Sequence, residues 1–211
     1  MAIVFAAISP HPPLILPSVG PEKDREKVKN TINALENLGK ELKKLNPDTI
    51  IISSPHPDWG FNVPLFFLAE SFLPRRQAGK GEIIPHLMGS EPPDYYFKKG
   101  KGFFTKESEK DKKYAIIASG DLSHRLKEDG PYGFHKDGPK FDNELLESLK
   151  KKDIESILKL DDKYPEAGEC GLRSFCFLLG MLEASGIKWQ AEILSYEGPF
   201  GVGYLTARFK L

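Results

Sequence analysis

Short apolar runs rich in isoleucine and valine recur along the chain at Ala2–Ile8, Thr49–Ser53, Glu82–Pro85 and Ala115–Ala118. They lack the in–out alternation of a sheet with one wet face, which predicts strands covered on both sides, as in an α/β sheet. Between the first two runs, Val28, Ile32, Leu35, Leu38, Leu42 and Leu45 recur at helical steps. They form one stripe of a helix over Pro21–Leu45, with Pro21 suited to its first turn. Strand, helix and strand make a βαβ unit, expected to cross over right-handed. Phe141, Leu145 and Leu149 mark an amphipathic helix over Phe141–Lys150. Gly171–Ser185 is apolar nearly all round and reads as a buried helix stopped by Gly186. The chain closes with strand-like runs at Trp189–Tyr196 and Val202–Phe209, joined by Glu197-Gly-Pro-Phe-Gly as a β-hairpin. Phe72–Lys80 and Lys98–Lys113 are basic and polar, and read as solvated connections or frayed helix ends. The fold class expected is a single-domain α/β sandwich over residues 1–211, with a central mixed sheet flanked by helices and a C-terminal β-hairpin.

Composition narrows the function classes. The 211 residues carry 30 Lys and Arg against 30 Asp and Glu, so no net charge argues for a nucleic-acid or anionic-membrane partner. The longest apolar run, Phe175–Leu182, falls far short of the roughly 20 residues that span a bilayer. No signal peptide is read at the start, because the first apolar stretch is cut by Ser9-Pro10-His11. Cys170 and Cys176 share one expected helix at a spacing that turns them different ways, so no disulfide framework is expected. The expected location is cytoplasmic.

The histidines are not scattered. Three apolar strands end in similar phrases: Ile8-Ser9-Pro10-His11, Ser53-Ser54-Pro55-His56 and Ser119-Gly120-Asp121-Leu122-Ser123-His124. Open α/β sheets bind ligands outside the carboxyl ends of their strands, so these three imidazoles are expected to converge there. Proline fixes φ and stiffens the loop that aims each ring. Two neutral imidazoles plus one anion is a metal-binding arrangement used by non-haem Fe(II) oxygenases. The anion is sought at Glu169 or Cys170, at the start of the buried helix, or at Glu197 at the end of a strand; spacing alone leaves the three open. His86 reads as structural, and His135 as a pocket-wall residue.

These residues together resemble the class III extradiol ring-cleavage dioxygenases, in their LigB-type catalytic subunit. The resemblance rests on Ser9-Pro-His-Pro-Pro13, Ile50–His56, Val63-Pro-Leu-Phe-Phe-Leu68, Ala118-Ser-Gly-Asp-Leu-Ser-His124 and the helix start at Ala167–Leu182, in the family's order. It implies His11, His56 and Glu169 as metal ligands and His124 as the acid–base catalyst. Related Memo-like proteins place a cysteine near the third position, here Cys170. Asp121, His135 and Trp59 are candidates to line the substrate pocket. The implied cofactor is Fe(II), with Zn or Mn as alternatives. The implied partners are O2 and a small aromatic substrate of catechol, dihydroxy or aminophenolic type, with a second copy or second subunit as a further candidate. One departure stands out. Family members usually carry a long stretch ending in Asp-His-Gly after the second metal histidine; here the domain is shortened between residues 57 and 62, and the phrase is Asp58-Trp59-Gly60. Alternatives to ring cleavage are a Memo-like metal-binding or partner-binding module without dioxygenase activity, or a metal-dependent hydrolase.

Overall fold

The computed structural model describes residues 2–72, 81–107 and 111–211. Six strands form one mixed sheet: β1 (Ala2–Ser9), β2 (Thr49–Ser54), β3 (Glu82–Leu87), β4 (Lys113–Ser119), β5 (Gln190–Glu197) and β6 (Tyr204–Lys210). Their order across the sheet is β3-β2-β4-β1-β6-β5. The first four are parallel, and the β5–β6 hairpin joins antiparallel to β1. β1 and β2 are therefore not neighbours: β4 returns to lie between them. The C-terminal ends of β1, β4 and β2 consequently face the same edge, side by side.

Alternate residues of the central strands enter opposite cores. Ile51, Ile116 and Ile8 pack on one side, while Ile50, Ile52, Ala115 and Ile117 pack on the other. This two-sided burial explains the continuous apolar runs. Helix α1 (Lys29–Leu45) and helix α2 (Trp59–Ala69) cover the second side. The α1 stripe buries Ala34, Leu35, Leu38 and Leu42, each leucine contributing on the order of 2 kcal/mol when fully removed from water. The expected helix is interrupted at its start, where Pro21–Val28 forms a short α-turn and a 3₁₀ turn before α1 begins.

Helices α3 (Pro93–Glu107), α4 (Asp137–Lys151) and α5 (Leu172–Ser185) cover the first side. α5 is buried over most of its length and ends at Gly186, whose φ of +68° lets the backbone reverse. The segment from Lys98, read as a solvated connection or a frayed helix end, is helical through residue 107, where residues 98–107 complete α3. Gly100 and Gly180 mark the reason. A Cβ on Gly100 would lie 2.1 Å from the Phe177 carbonyl oxygen, and one on Gly180 2.1 Å from that of Phe97. The glycines let α3 and α5 cross in backbone contact rather than breaking the helix, while the lysines line the wet face. Of the other unassigned segment, Phe72 is buried at the end of a 3₁₀ turn and the rest lies outside the described residues. No described helix is long and apolar enough to cross a membrane.

Candidate metal centre

The loops leaving β1, β2 and β4 meet the N-terminal end of α5. His11 is buried just beyond β1, and His56 is exposed just beyond β2. Their rings stand edge to face, with centroids 5.3 Å apart. Cys170, two residues before α5, brings its Sγ to 3.7 Å from His11 Nε2. Among the described residues, His11, His56 and Cys170 form a group of donors whose ligand atoms all lie within 4.8 Å of one another.

Each donor is fixed by its local chain. His11 Nδ1 lies 3.0 Å from Ser119 Oγ at the end of β4, leaving Nε2 facing the cysteine. The His11 N–H donates to Asp121 Oδ1 at 3.0 Å. Ser54 Oγ accepts from the His56 N–H and donates to its carbonyl, closing a small ring that sets the turn after β2. Ser53 and Ser174 hydroxyls meet at 2.6 Å and tie β2 to α5. The N–H groups of Cys170 and Gly171 both donate to the Asp121 carbonyl, at 3.4 and 3.0 Å, while the Asp121 N–H donates to Cys170 Sγ at 3.3 Å. The β4 loop and the α5 start are thus laced together around the thiol.

Electrostatics follow burial. Burial, with His56 nearby, lowers the His11 pKa to about 3, so its imidazole is neutral at physiological pH and its lone pair is free. Burial also holds the Cys170 thiol well above its usual value. A cation would have to displace that proton, as thiol ligands commonly require. Burial raises Asp121 to about 6 against the bond from the His11 N–H, leaving it mostly ionised at pH 7. His124 is lowered chiefly by burial, although Asp121 pulls the other way. A parallel Tyr132 ring covers His124, with centroids 5.1 Å apart.

The donor set fits a transition ion. Ligands at the usual Zn–N and Zn–S lengths sit roughly 3.5 Å from each other around a tetrahedral ion, close to the observed spacing of His11 Nε2 and Cys170 Sγ. Imidazole and thiolate suit zinc, iron or copper better than hard oxygen-seeking ions.

The other sequence candidates are placed as follows. Glu169, the expected third ligand, is not part of this group: its buried carboxylate accepts from the Leu172 N–H at 2.6 Å and pairs with Arg173 at 3.2 Å. It serves the first turn of α5, and burial raises its pKa to about 7. Glu197 also lies elsewhere, its carboxylate held by Asn30 and by the N–H and hydroxyl of Thr31 at the start of α1. Cys170, the alternative, is the residue brought to the histidines. His135 is bonded to its own turn, its N–H on the Arg125 carbonyl and its Nδ1 accepting from the Asp137 N–H. Trp59 opens α2 and is half exposed. His86 packs between Phe103 and Phe177, away from the donor group. Ser119 and Tyr132 were not singled out from the sequence. Ser119 had one usable signal, its place at the end of the same strand phrase as His124.

Comparison with known proteins identifies the family and the fold. The family model described as the catalytic LigB subunit of aromatic ring-opening dioxygenase matches residues 5–57 and 56–207. Protein CA_C1420 of Clostridium acetobutylicum is 34% identical over 92% of this chain, which spans 55% of that relative's length. The crystal structure of an uncharacterized protein, JW3007 from Escherichia coli K12, shares the fold with a TM-score of 0.50 and 12% identity, covering 97% of this chain and 98% of that one. With a family match running from the first strand to the last, the chain belongs to the LigB family, whose model is described as the catalytic subunit of aromatic ring-opening dioxygenase.

Proposed function

We propose that this protein is a mononuclear metal-dependent dioxygenase acting on a catechol-like ring, with His11, His56 and Cys170 as the ligands. The observation that carries this reading is the convergence of those three donors within 4.8 Å at the strand ends, inside a LigB fold. Fe(II) is the metal first expected, with Zn next and Mn disfavoured by the thiolate. Iron held there would supply electron exchange between an aromatic diolate and O2. The protein's own groups would do the rest. His124, neutral at pH 7, accepts the proton of a phenolic hydroxyl and returns it when the ring opens. Asp121 stabilises the imidazolium so formed, its attraction to His124 favouring the charged ring. Tyr132 shields the His124 ring and offers a flat surface beside an aromatic substrate. His56, exposed, lies on the open side by which a substrate would enter.

A second reading is favoured by Cys170 in the third ligand position and by Trp59 where ring-cleaving relatives carry histidine. On that reading the chain is a Memo-like metal-binding module that acts through a partner. One experiment separates the two. Fe(II)-loaded protein, prepared without oxygen, is mixed with catechol and 4-substituted catechols, and O2 uptake and product absorbance are followed. Uptake of one O2 per ring opened, with a yellow product, supports the dioxygenase. Iron bound at one per chain without O2 uptake would overturn it in favour of the module.

A further inference from the structure

Beside the loop that follows β4 lies a carboxylate that no role described above uses. Asp142 is fully buried on the core face of α4, in the same stripe as Phe141, Leu145 and Leu149. A charge placed among apolar side chains costs free energy unless strong donors face it. Two do. Asp142 Oδ1 accepts from the Ser123 N–H at 2.8 Å, and Oδ2 accepts from the Tyr196 hydroxyl of β5 at 2.6 Å. Gly203 makes room, since a Cβ there would lie 2.3 Å from Oδ2.

Ser123 sits between Asp121 and His124, and it is held at every polar atom. Its carbonyl accepts from the Gly203 N–H at 2.8 Å, and its hydroxyl donates to the Ala167 carbonyl at 2.7 Å while accepting from the Arg125 N–H at 3.0 Å. Its N–H, the remaining polar group, goes to Asp142. Leu122 is tied to the same partner, donating to the Gly203 carbonyl at 2.8 Å. The loop after β4 is therefore clamped between Gly203, just before β6, on one side and α4 on the other, where Gly138 packs closely on Ser123 and Arg125 and the Asp142 carboxylate takes the Ser123 N–H.

We propose that Asp142, braced by Tyr196, is the positioning residue that holds the 120–125 loop and so sets Asp121 and His124 against the metal cluster. This rests on the reading of Asp121 and His124 as groups that act at that cluster. The logic is preorganisation: groups near a reacting centre keep their geometry through the bonds of their neighbours. Gly203 and Tyr196 come from the C-terminal hairpin, so the hairpin contributes to the site without touching a ligand.

The test uses the full chain loaded with Co(II) and the variants Asp142→Leu, Asp142→Asn and Tyr196→Phe. Amide exchange is read at Leu122, Arg125 and Gly171, whose N–H groups bond elsewhere than Asp142, and at Ile50–Ile52 in β2 as a reference. In Asp142→Leu, exchange at the three reporters should quicken by about tenfold with β2 unchanged. The visible Co(II) spectrum should also change. Asp142→Asn, which keeps an oxygen for the Ser123 N–H, should restore most of the protection. Tyr196→Phe, the mildest change, should quicken the reporters by about fivefold, the worth of one hydrogen bond. It also keeps the idea falsifiable if Asp142→Leu does not fold. Unchanged reporters in Tyr196→Phe, or β2 quickening in proportion, would overturn the proposal. Failure of the native chain to bind Co(II) would instead overturn the metal reading, and the exchange data would still stand as a separate result.

Discussion

Replacing Gly120 by alanine should damage the metal centre from a position that contributes no ligand. Gly120 follows β4 directly, and its N–H donates to the Ser9 carbonyl at 3.0 Å. A Cβ built on it would lie 2.2 Å from Gly171 Cα, with the Gly171 N and C at 3.2 and 3.3 Å. All three are backbone atoms, so no side chain can swing aside. Carbon atoms pack at about 3.5–4.0 Å, so the loop and the start of α5 would have to part by roughly 1.3–1.8 Å. That seam carries the bonds from Cys170 and Gly171 to the Asp121 carbonyl, and it places the thiol beside His11. Overpacking of this kind costs about 1–3 kcal/mol, or roughly 3–10 °C in a chain of this size. Metal affinity should fall by about 10–100-fold, as when a supporting contact of a ligand is lost. The assay is a thermal melt beside a competitive Co(II) or Zn(II) titration. Gly102→Ala is the control: nothing lies within 4 Å of its added Cβ, and within α3 alanine should be neutral or stabilise by up to about 1 kcal/mol. Metal affinity in Gly120→Ala within twofold of native would refute the idea that this backbone seam assembles the site.

Three further outcomes are expected. Cys170→Ser should lose tightly bound metal while Glu169→Gln keeps it, by elemental analysis; the reverse result would return Glu169 to the ligand set. His124→Gln should retain one metal per chain yet lose turnover of any catechol substrate by about 10²–10⁴-fold, the usual worth of a general base, and undiminished turnover would remove that role. Asp142 should impose a pH dependence: burial raises its carboxyl to about 7 against the bonds from Tyr196 and Ser123. Between the unfolded value near 4 and the folded value near 7, the native state holds a proton that the unfolded chain does not. The associated stability is complete at low pH and is lost as pH rises through about 7. The native chain should therefore lose about 2–3 kcal/mol relative to Asp142→Asn between pH 5 and pH 8, read by denaturant unfolding, and a difference flat with pH would contradict the shift.

Much of this architecture is legible in the sequence, for identifiable reasons. Strands covered on both faces leave uninterrupted runs such as Thr49–Ser53, and α5 betrays itself by having no polar face. The Ser-Pro-His repeats give away the strand ends, because only the ends of parallel strands bring distant phrases to one edge. α3 hides because its second half is basic and polar in sequence, while the Gly100 contact that packs it against α5 exists only in three dimensions. The third donor of the cluster hides for a similar reason. Glu169 and Cys170 are adjacent, and only the turn into α5 decides which faces His11 and which bonds the helix start. Asp142 is invisible in sequence, an acid on an otherwise ordinary amphipathic helix, since its partners come from residues 123 and 196.

The central claim is that His11, His56 and Cys170 hold one metal ion. Its most direct test is the metal content of protein purified without oxygen, measured by elemental analysis for the native chain and for His11→Ala after both are offered Fe(II). The expected result is about one metal per native chain and none in a variant that remains folded by circular dichroism. Equal metal in both proteins, or none in the native chain, would contradict the site.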